Sequence, residues 1–260
     1  MAVQFLTRLP VSFLLKQSNL QNGIYTANNQ SRSLKYYPLV GFIIGLLLLG
    51  FILVLQYIAA SHTLYIAALT IFLWVVLSGG LHLDGVADMA DAWVGGLGDK
   101  DKTLRIMKDP TCGPFGVVAI TLTLFLKFVF VYELIAINPY LILLPPLLSR
   151  AIVVALLMHI PYARAQGMGS DLNAAVDKYK NTVSIIISIA ISIFLLITFS
   201  NITILSGLLL LCAVFYYVFT SNVVKRIGGI TGDIAGAFIE YMELVVLFSM
   251  VTLIFVIQSP

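Results

Sequence analysis

Charge is scarce in this 260-residue chain: 10% of its residues are Asp, Glu, Lys or Arg, while 60% are hydrophobic. Soluble domains carry about a quarter charged residues because their surface must be hydrated. The shortage excludes a purely aqueous surface, so the solvent is partly lipid. Cysteine is nearly absent too. Cys112 and Cys212 are the only two, far apart and in unlike surroundings, which excludes a disulfide framework or a zinc spacing. The histidines have no companions for Ser–His–Asp or Cys–His chemistry, and no glycine pattern of the Walker or dinucleotide type occurs. A net charge of +3 does not point to nucleic acid. The N-terminal run MAVQFLTRLPVSFLLK lacks a basic leader and a small-residue cleavage site, so no signal peptide is expected. Phe5, Leu6, Leu9 and Phe13 share a helical face, and residues 1–16 are expected to lie in the membrane interface.

What the chain has is long apolar runs. A bilayer core takes about 20 mostly apolar residues per helix. Spans are expected at residues 38–60, 64–83, 117–137, 140–160, 183–199, 202–220 and 237–257, with Pro145 and Pro146 kinking the fourth. The fold class is therefore an all-α polytopic bundle of about seven transmembrane helices, one integral membrane domain over residues 1–260. Arg8, Lys16, Arg32 and Lys35 precede the first span; Lys100, Lys102, Arg105 and Lys108 follow the second; Arg164, Lys178 and Lys180 follow the fourth; Lys225 and Arg226 follow the sixth. All these segments lie on one side. The positive-inside rule makes that side cytoplasmic, with the N-terminus inside and the C-terminus outside.

The few acidic residues are gathered. In GGLHLDGVADMADAW, Asp84, Asp88 and Asp91 fall within an arc of about 60° on one helical face. Carboxylates that close repel one another, and a divalent cation removes the conflict. Oxygen donors suit Mg²⁺, Mn²⁺ or Ca²⁺. A second set opens the seventh span: Asp233, Glu240 and Glu243 in GGITGDIAGAFIEYME, within an arc of about 80°, with Thr231 as the expected helix cap. The expected metal ligands are Asp84, Asp88, Asp91, Asp233, Glu240 and Glu243. Each acidic segment follows a glycine pair, Gly79-Gly80 in one case and Gly228-Gly229 in the other, as in a faint parallel repeat.

Residues 84–116 are expected to form an acidic and glycine-rich cytoplasmic loop, where Arg105 and Lys108 suit phosphate oxygens. Arg164 at the rim suits them equally, and His82 beside Asp84 joins the candidate substrate contacts. Lys127 and Arg150 fall near mid-membrane and should face the bundle interior, paired with an acid or a ligand; Glu133 is one candidate partner. Acids at one membrane border with basic rim residues indicate metal-assisted phosphoryl transfer.

These segments resemble the cobalamin synthase family, the membrane-bound adenosylcobinamide-GDP ribazoletransferases. The matching stretches are FLTRLPV at 5–11, YPLVGFIIG at 37–45, GGLHLDGVADMAD at 79–91, IMKD at 106–109, GPFG at 113–116, PYARAQGMG at 161–169 and GGITGDIAGAFIEYME at 228–243. Thr111 departs from the family pattern, which often has a basic residue there. The resemblance implies that a hydroxyl of α-ribazole, or of its 5′-phosphate, attacks the cobinamide-linked phosphorus of adenosylcobinamide-GDP and releases GMP, with Mg²⁺ required. It implies Asp84, Asp88, Asp233 and Glu240 as catalytic residues in the cytoplasmic (inner) membrane. Membrane lipid, a second copy of the chain and other corrinoid-pathway enzymes are the accompanying candidate partners. The rival readings are another membrane alcohol phosphotransferase of lipid synthesis and an ion or solute transporter, which should hold its acids at the midplane.

Overall fold

The computed structural model describes residues 33–59, 61–163, 178–199 and 202–258; the interfacial helix expected at residues 1–16, and Arg164, lie outside them. A 3-10 turn at Leu34–Tyr36 leads into α1 (Tyr37–Ala59), followed by α2 (Thr63–Ser78), α3 (Leu81–Gly95), α4 (Lys100–Ile106) and α5 (Pro114–Ile137). A 3-10 stretch at Pro139–Leu143 opens α6 (Leu144–His159), and α7 (Lys178–Phe199), α8 (Ile202–Ile227) and α9 (Gly232–Gln258) complete the chain. Six helical segments among the described residues are long and apolar enough to cross a membrane, and α2 with α3 makes a seventh if that bent pair is one span. The expected polytopic helical bundle is what forms. Large apolar side chains such as Tyr57, Phe72, Phe125 and Leu210 point outward, as a lipid-facing surface requires.

α6 is the central helix. Leu144, Leu147, Leu148, Val153, Val154 and Leu156 are all buried, because α1, α7 and α9 enclose it. Pro145 and Pro146 do not kink it. They occupy its first turn, where backbone N–H groups have no intrahelical partner and a proline ring removes no hydrogen bond.

The span expected at residues 64–83 is not one helix. α2 stops at Ser78, Gly79 and Gly80 take φ of 66° and 69°, and α3 departs at 88° to α2. Glycine enters this left-handed region without the Cβ penalty of other residues. The first acidic set therefore rides on its own short helix, turned across the bundle.

The last two spans also shift. α8 continues to Ile227 and carries Lys225 and Arg226 in its last turn, where the helix dipole favours cations. α9 starts at Gly232, with the Ile234 N–H donating to Thr231 Oγ1 at 3.2 Å, the cap expected from sequence. Backbone bonds from Ala163 N–H to Ile230 C=O (2.8 Å) and from Ile230 N–H to Pro161 C=O (2.9 Å) tie the exit of α6 to the α8–α9 turn. Arg226 donates to the Trp93 carbonyl at the end of α3. The ends that carry the conspicuous motifs thus meet at one end of the bundle.

Candidate active site

The site is organised by the crossing of α3 and α9. A Cβ on Gly85 would overlap the Asp233 carbonyl oxygen and lie 3.1 Å from Ala237 N; one on Gly236 would lie 3.3 Å from His82 Cα. Small residues on both helices let the backbones touch, as at close helix contacts in membranes. The two acidic segments meet here. Asp84 is exposed, and Asp88 and Asp233 are half-buried. Thr231 Oγ1 lies 3.4 Å from Asp233 Oδ2.

Asp91, expected as a metal ligand with them, is committed elsewhere. Its Oδ2 accepts from Gly113 N–H at 2.7 Å and its Oδ1 from Gly116 N–H at 3.0 Å. It thereby caps the start of α5, where unpaired N–H groups and the helix dipole attract an anion. A Cβ on either glycine would collide with this carboxylate, which gives GPFG a steric reason. Asp91→Ala should therefore lower stability by roughly 2–4 kcal/mol, two bonds to a charged acceptor being lost, and Asp91→Asn by less. Thermal unfolding of the purified protein in detergent measures this; an unchanged midpoint for Asp91→Ala would refute the anchoring role.

Glu240 and Glu243, the other expected ligands beside Asp233, point into the bundle. Lys127 Nζ donates to Glu240 Oε2 at 2.5 Å and also bonds Glu243 Oε2, and Arg150 Nη1 bonds Glu243 Oε1. All four side chains are buried. Arg150 Nη1 donates further to Ser149 Oγ at 3.0 Å, and the Lys127 ammonium sits 4.8 Å from the centre of the Trp74 ring. Two cations face two carboxylates, and the group is neutral as a whole. Lys127 and Arg150 pair with acids inside the bundle, but with those of α9 and not with Glu133. The burial of both glutamates is explained by these pairs without a metal. His82 is buried as well, its Nδ1 3.8 Å from Glu240 Oε1, and it does not line an open cleft. Trp74 and the Arg226–Trp93 contact were not foreseeable, since partners so far apart in the sequence carry no local signal.

The basic residues occupy the rim. Arg105 ends α4 and Lys108 follows it, both exposed. Lys100 reaches the α8–α9 turn, where a Cβ on Gly228 would lie 3.1 Å from its Nζ. The turn beyond is ordered by Asp109, whose carboxylate accepts from the Thr111 hydroxyl (2.6 Å) and backbone N–H (3.0 Å). These bonds hold that carboxyl below the usual range. Thr111 thus has a structural use of its own.

Among the described residues, no three His, Cys, Asp or Glu side chains form a group that could hold a metal ion. Asp84 and Asp88 on α3 and Asp233 at the start of α9 present carboxylate oxygens at the crossing. That chemistry fits Mg²⁺, which is commonly bound by one or two carboxylates together with substrate phosphates and seldom by an all-protein cage.

Comparison with known proteins decides the family. Residues 1–251 match the family described as cobalamin-5-phosphate synthase. The chain belongs to that family. It is 40% identical over 253 residues to the adenosylcobinamide-GDP ribazoletransferase of Pseudomonas syringae pv. syringae (strain B728a), covering 97% of this chain and 98% of the relative. The protein of the same name from Acinetobacter baumannii (strain ATCC 17978) is 42% identical over 252 residues, covering 96% and 95%. That from Pseudomonas fluorescens (strain SBW25) is 39% identical over 247 residues, covering 95% and 96%. No solved structure matches the chain. The family resemblance carried by the HLDG and GGITGD segments thus extends over nearly the whole chain, and those segments are the ones packed at the α3–α9 crossing.

Proposed function

We propose that this chain is a multi-pass membrane transferase that joins α-ribazole, or its 5′-phosphate, to adenosylcobinamide-GDP. A ribazole hydroxyl forms a new bond to the cobinamide-linked phosphorus as the bond to the GMP oxygen breaks, giving adenosylcobalamin or its phosphate and GMP. The observation that carries this reading is the glycine-mediated contact of α3 with α9, which brings two acidic motifs of the family to one end of the bundle. Asp84, Asp88 and Asp233 are the residues proposed to hold Mg²⁺ with the diphosphate. Bound there, the ion would neutralise phosphate charge and favour departure of GMP. Arg105, Lys108 and Arg164 are proposed to contact the remaining phosphate oxygens. Asp233, half-buried at the start of α9, is better placed than Glu240 to accept the hydroxyl proton, because Glu240 lies deeper and is engaged by Lys127. The rival phospholipid-synthesis and transporter readings gain no support. The mid-membrane charges neutralise one another, whereas the acids proposed for chemistry sit at the bundle's end. The test is GMP release when purified protein is mixed with adenosylcobinamide-GDP and α-ribazole; no GMP with either form of ribazole would end the proposal.

The site is proposed to face the cytoplasm in the inner membrane, because the basic segments share its side. Reporter fusions at residue 260 and within residues 95–101 are expected to report opposite sides. The same side for both would mean that one of the five helices between them, α5 to α9, does not cross.

A further inference from the structure

At the same end of the bundle, away from the acidic crossing, residues of α1, α6 and α7 line a groove of about 440 Å³. Phe42 on α1, Leu147 on α6 and Ile187 and Ile191 on α7 line it, and so do Lys35, whose ammonium lies 4.8 Å from the centre of the Tyr36 ring, and Lys180 near the start of α7. Lys35 is half-buried and Lys180 exposed. The two lysines come from distant parts of the chain and are held together by a bond from Ser184 Oγ to the Lys35 carbonyl at 2.6 Å. From Lys180 to Ile191 the groove runs about 17 Å along the helix axis. Half the hydrocarbon thickness of a bilayer is about 15 Å. The shape is thus an apolar channel one leaflet deep, closed at the headgroup level by two cations.

We propose that this groove binds an anionic phospholipid from the leaflet on the Lys35–Lys180 side, with an acyl chain along α7 and the phosphate between the two ammonium groups. Charge and depth together select that occupant. A free phosphate would match the charge of the lysines but leave the apolar floor uncovered. A zwitterionic lipid would fill the floor but set its own cationic headgroup beside them. The site is separate from the reaction, and none of its residues belongs to the proposed catalytic set.

The experiment is native mass spectrometry of the full chain in detergent, titrated with phosphatidylglycerol and with phosphatidylcholine of the same acyl composition. The wild type should retain phosphatidylglycerol at least about ten-fold better. Each Lys→Gln change at residue 35 or 180 should lower that retention about five-fold, since a basic residue at the membrane surface is worth on the order of one such factor. Lys35→Arg with Lys180→Arg should keep it. Ile187→Trp, which narrows the groove from its lipid-facing edge, should weaken retention with both lysines in place. If the double Gln variant is not recovered as a monodisperse species, Lys180→Gln alone is read, because that side chain is exposed. Equal retention of the two lipids by the wild type would overturn the proposal. So would an unaltered preference in the Gln variants, or a lipid-free dimer closed across this face.

Discussion

Exchanging Glu243 for Gln is expected to leave little folded protein. Gln keeps the shape and one acceptor oxygen, so the change isolates the charge. Glu243 bonds both Lys127 and Arg150 in the buried interior. Without its charge, two cations share the single carboxylate of Glu240 in an apolar bundle. Removing one partner of a buried ion pair commonly destabilises by about 3–5 kcal/mol, a large part of a total stability of about 5–15 kcal/mol. The sign follows from balance and not from the number of bonds. Glu243→Gln combined with Arg150→Met should therefore recover much of the loss, because Lys127 and Glu240 remain paired and the cluster is neutral again. Lys127→Met and Arg150→Met alone should each lower yield as well. Trp74→Leu should be milder, by about 1–2 kcal/mol for a desolvated cation–π contact. The measurements are the monodisperse fraction after detergent extraction and the thermal midpoint. A Glu243→Gln protein as stable as wild type, or a double variant worse than the sum of its singles, would show that the four charges do not act as one neutral unit.

Much of this architecture could be read from the sequence because bilayer physics is strict. Apolar length and basic-residue placement mark α1, α5 and α6 within a few residues, while α7, α8 and α9 each extend further, at the end expected to be cytoplasmic, than apolar length alone indicates. Thr231 could be recognised as a cap, and Asp84, Asp88 and Asp233 as a pattern, because spacing along a helix is a local property. The departures from expectation share a cause. Whether Gly79 and Gly80 continue a helix or break it depends on what α3 packs against, which is the backbone of α9 at Asp233. Asp91 continues the acidic stripe in sequence, yet the N–H groups of Gly113 and Gly116 reach it first. Glu240 and Glu243 lie on the arc of Asp233, but α9 is long, and a rise of about 1.5 Å per residue carries them into the interior where Lys127 and Arg150 are. Spacing gives direction around a helix; it does not give depth. Pro145 and Pro146 start α6 where a kink is expected, for a related reason. Proline breaks a helix it interrupts and starts a helix it precedes, and only the 3-10 turn before α6 distinguishes the two.

Depth also separates the acids in the second large effect. Asp84→Asn, Asp88→Asn and Asp233→Asn should each reduce transferase activity by on the order of 10²–10³, the size usual for losing one preorganised electrostatic contact to a reacting group. Folding should survive. Asp84 is exposed, so its replacement removes no packing, and Asn relieves repulsion between carboxylates that stand close on α3. Asp84→Asn is therefore the most informative of the three. Its effect on chemistry is least mixed with structure, whereas Glu240→Gln would disturb the bond to Lys127 and lower yield and activity together. Dependence on added Mg²⁺ then divides the roles. If a carboxylate helps to hold the ion, its Asn variant should need more Mg²⁺ and recover part of its rate at high concentration. If Asp233 takes the proton of the attacking hydroxyl, Asp233→Asn should stay slow at every Mg²⁺ concentration, with its KM for adenosylcobinamide-GDP little changed. The decisive experiment is GMP release against Mg²⁺ for the wild type and each variant, with elution profiles as the folding control. An Asp84→Asn protein of full activity, or a wild type that works unimpaired in excess EDTA, would remove the metal from this site and leave the rim cations Arg105, Lys108 and Arg164 as the proposed source of phosphate neutralisation.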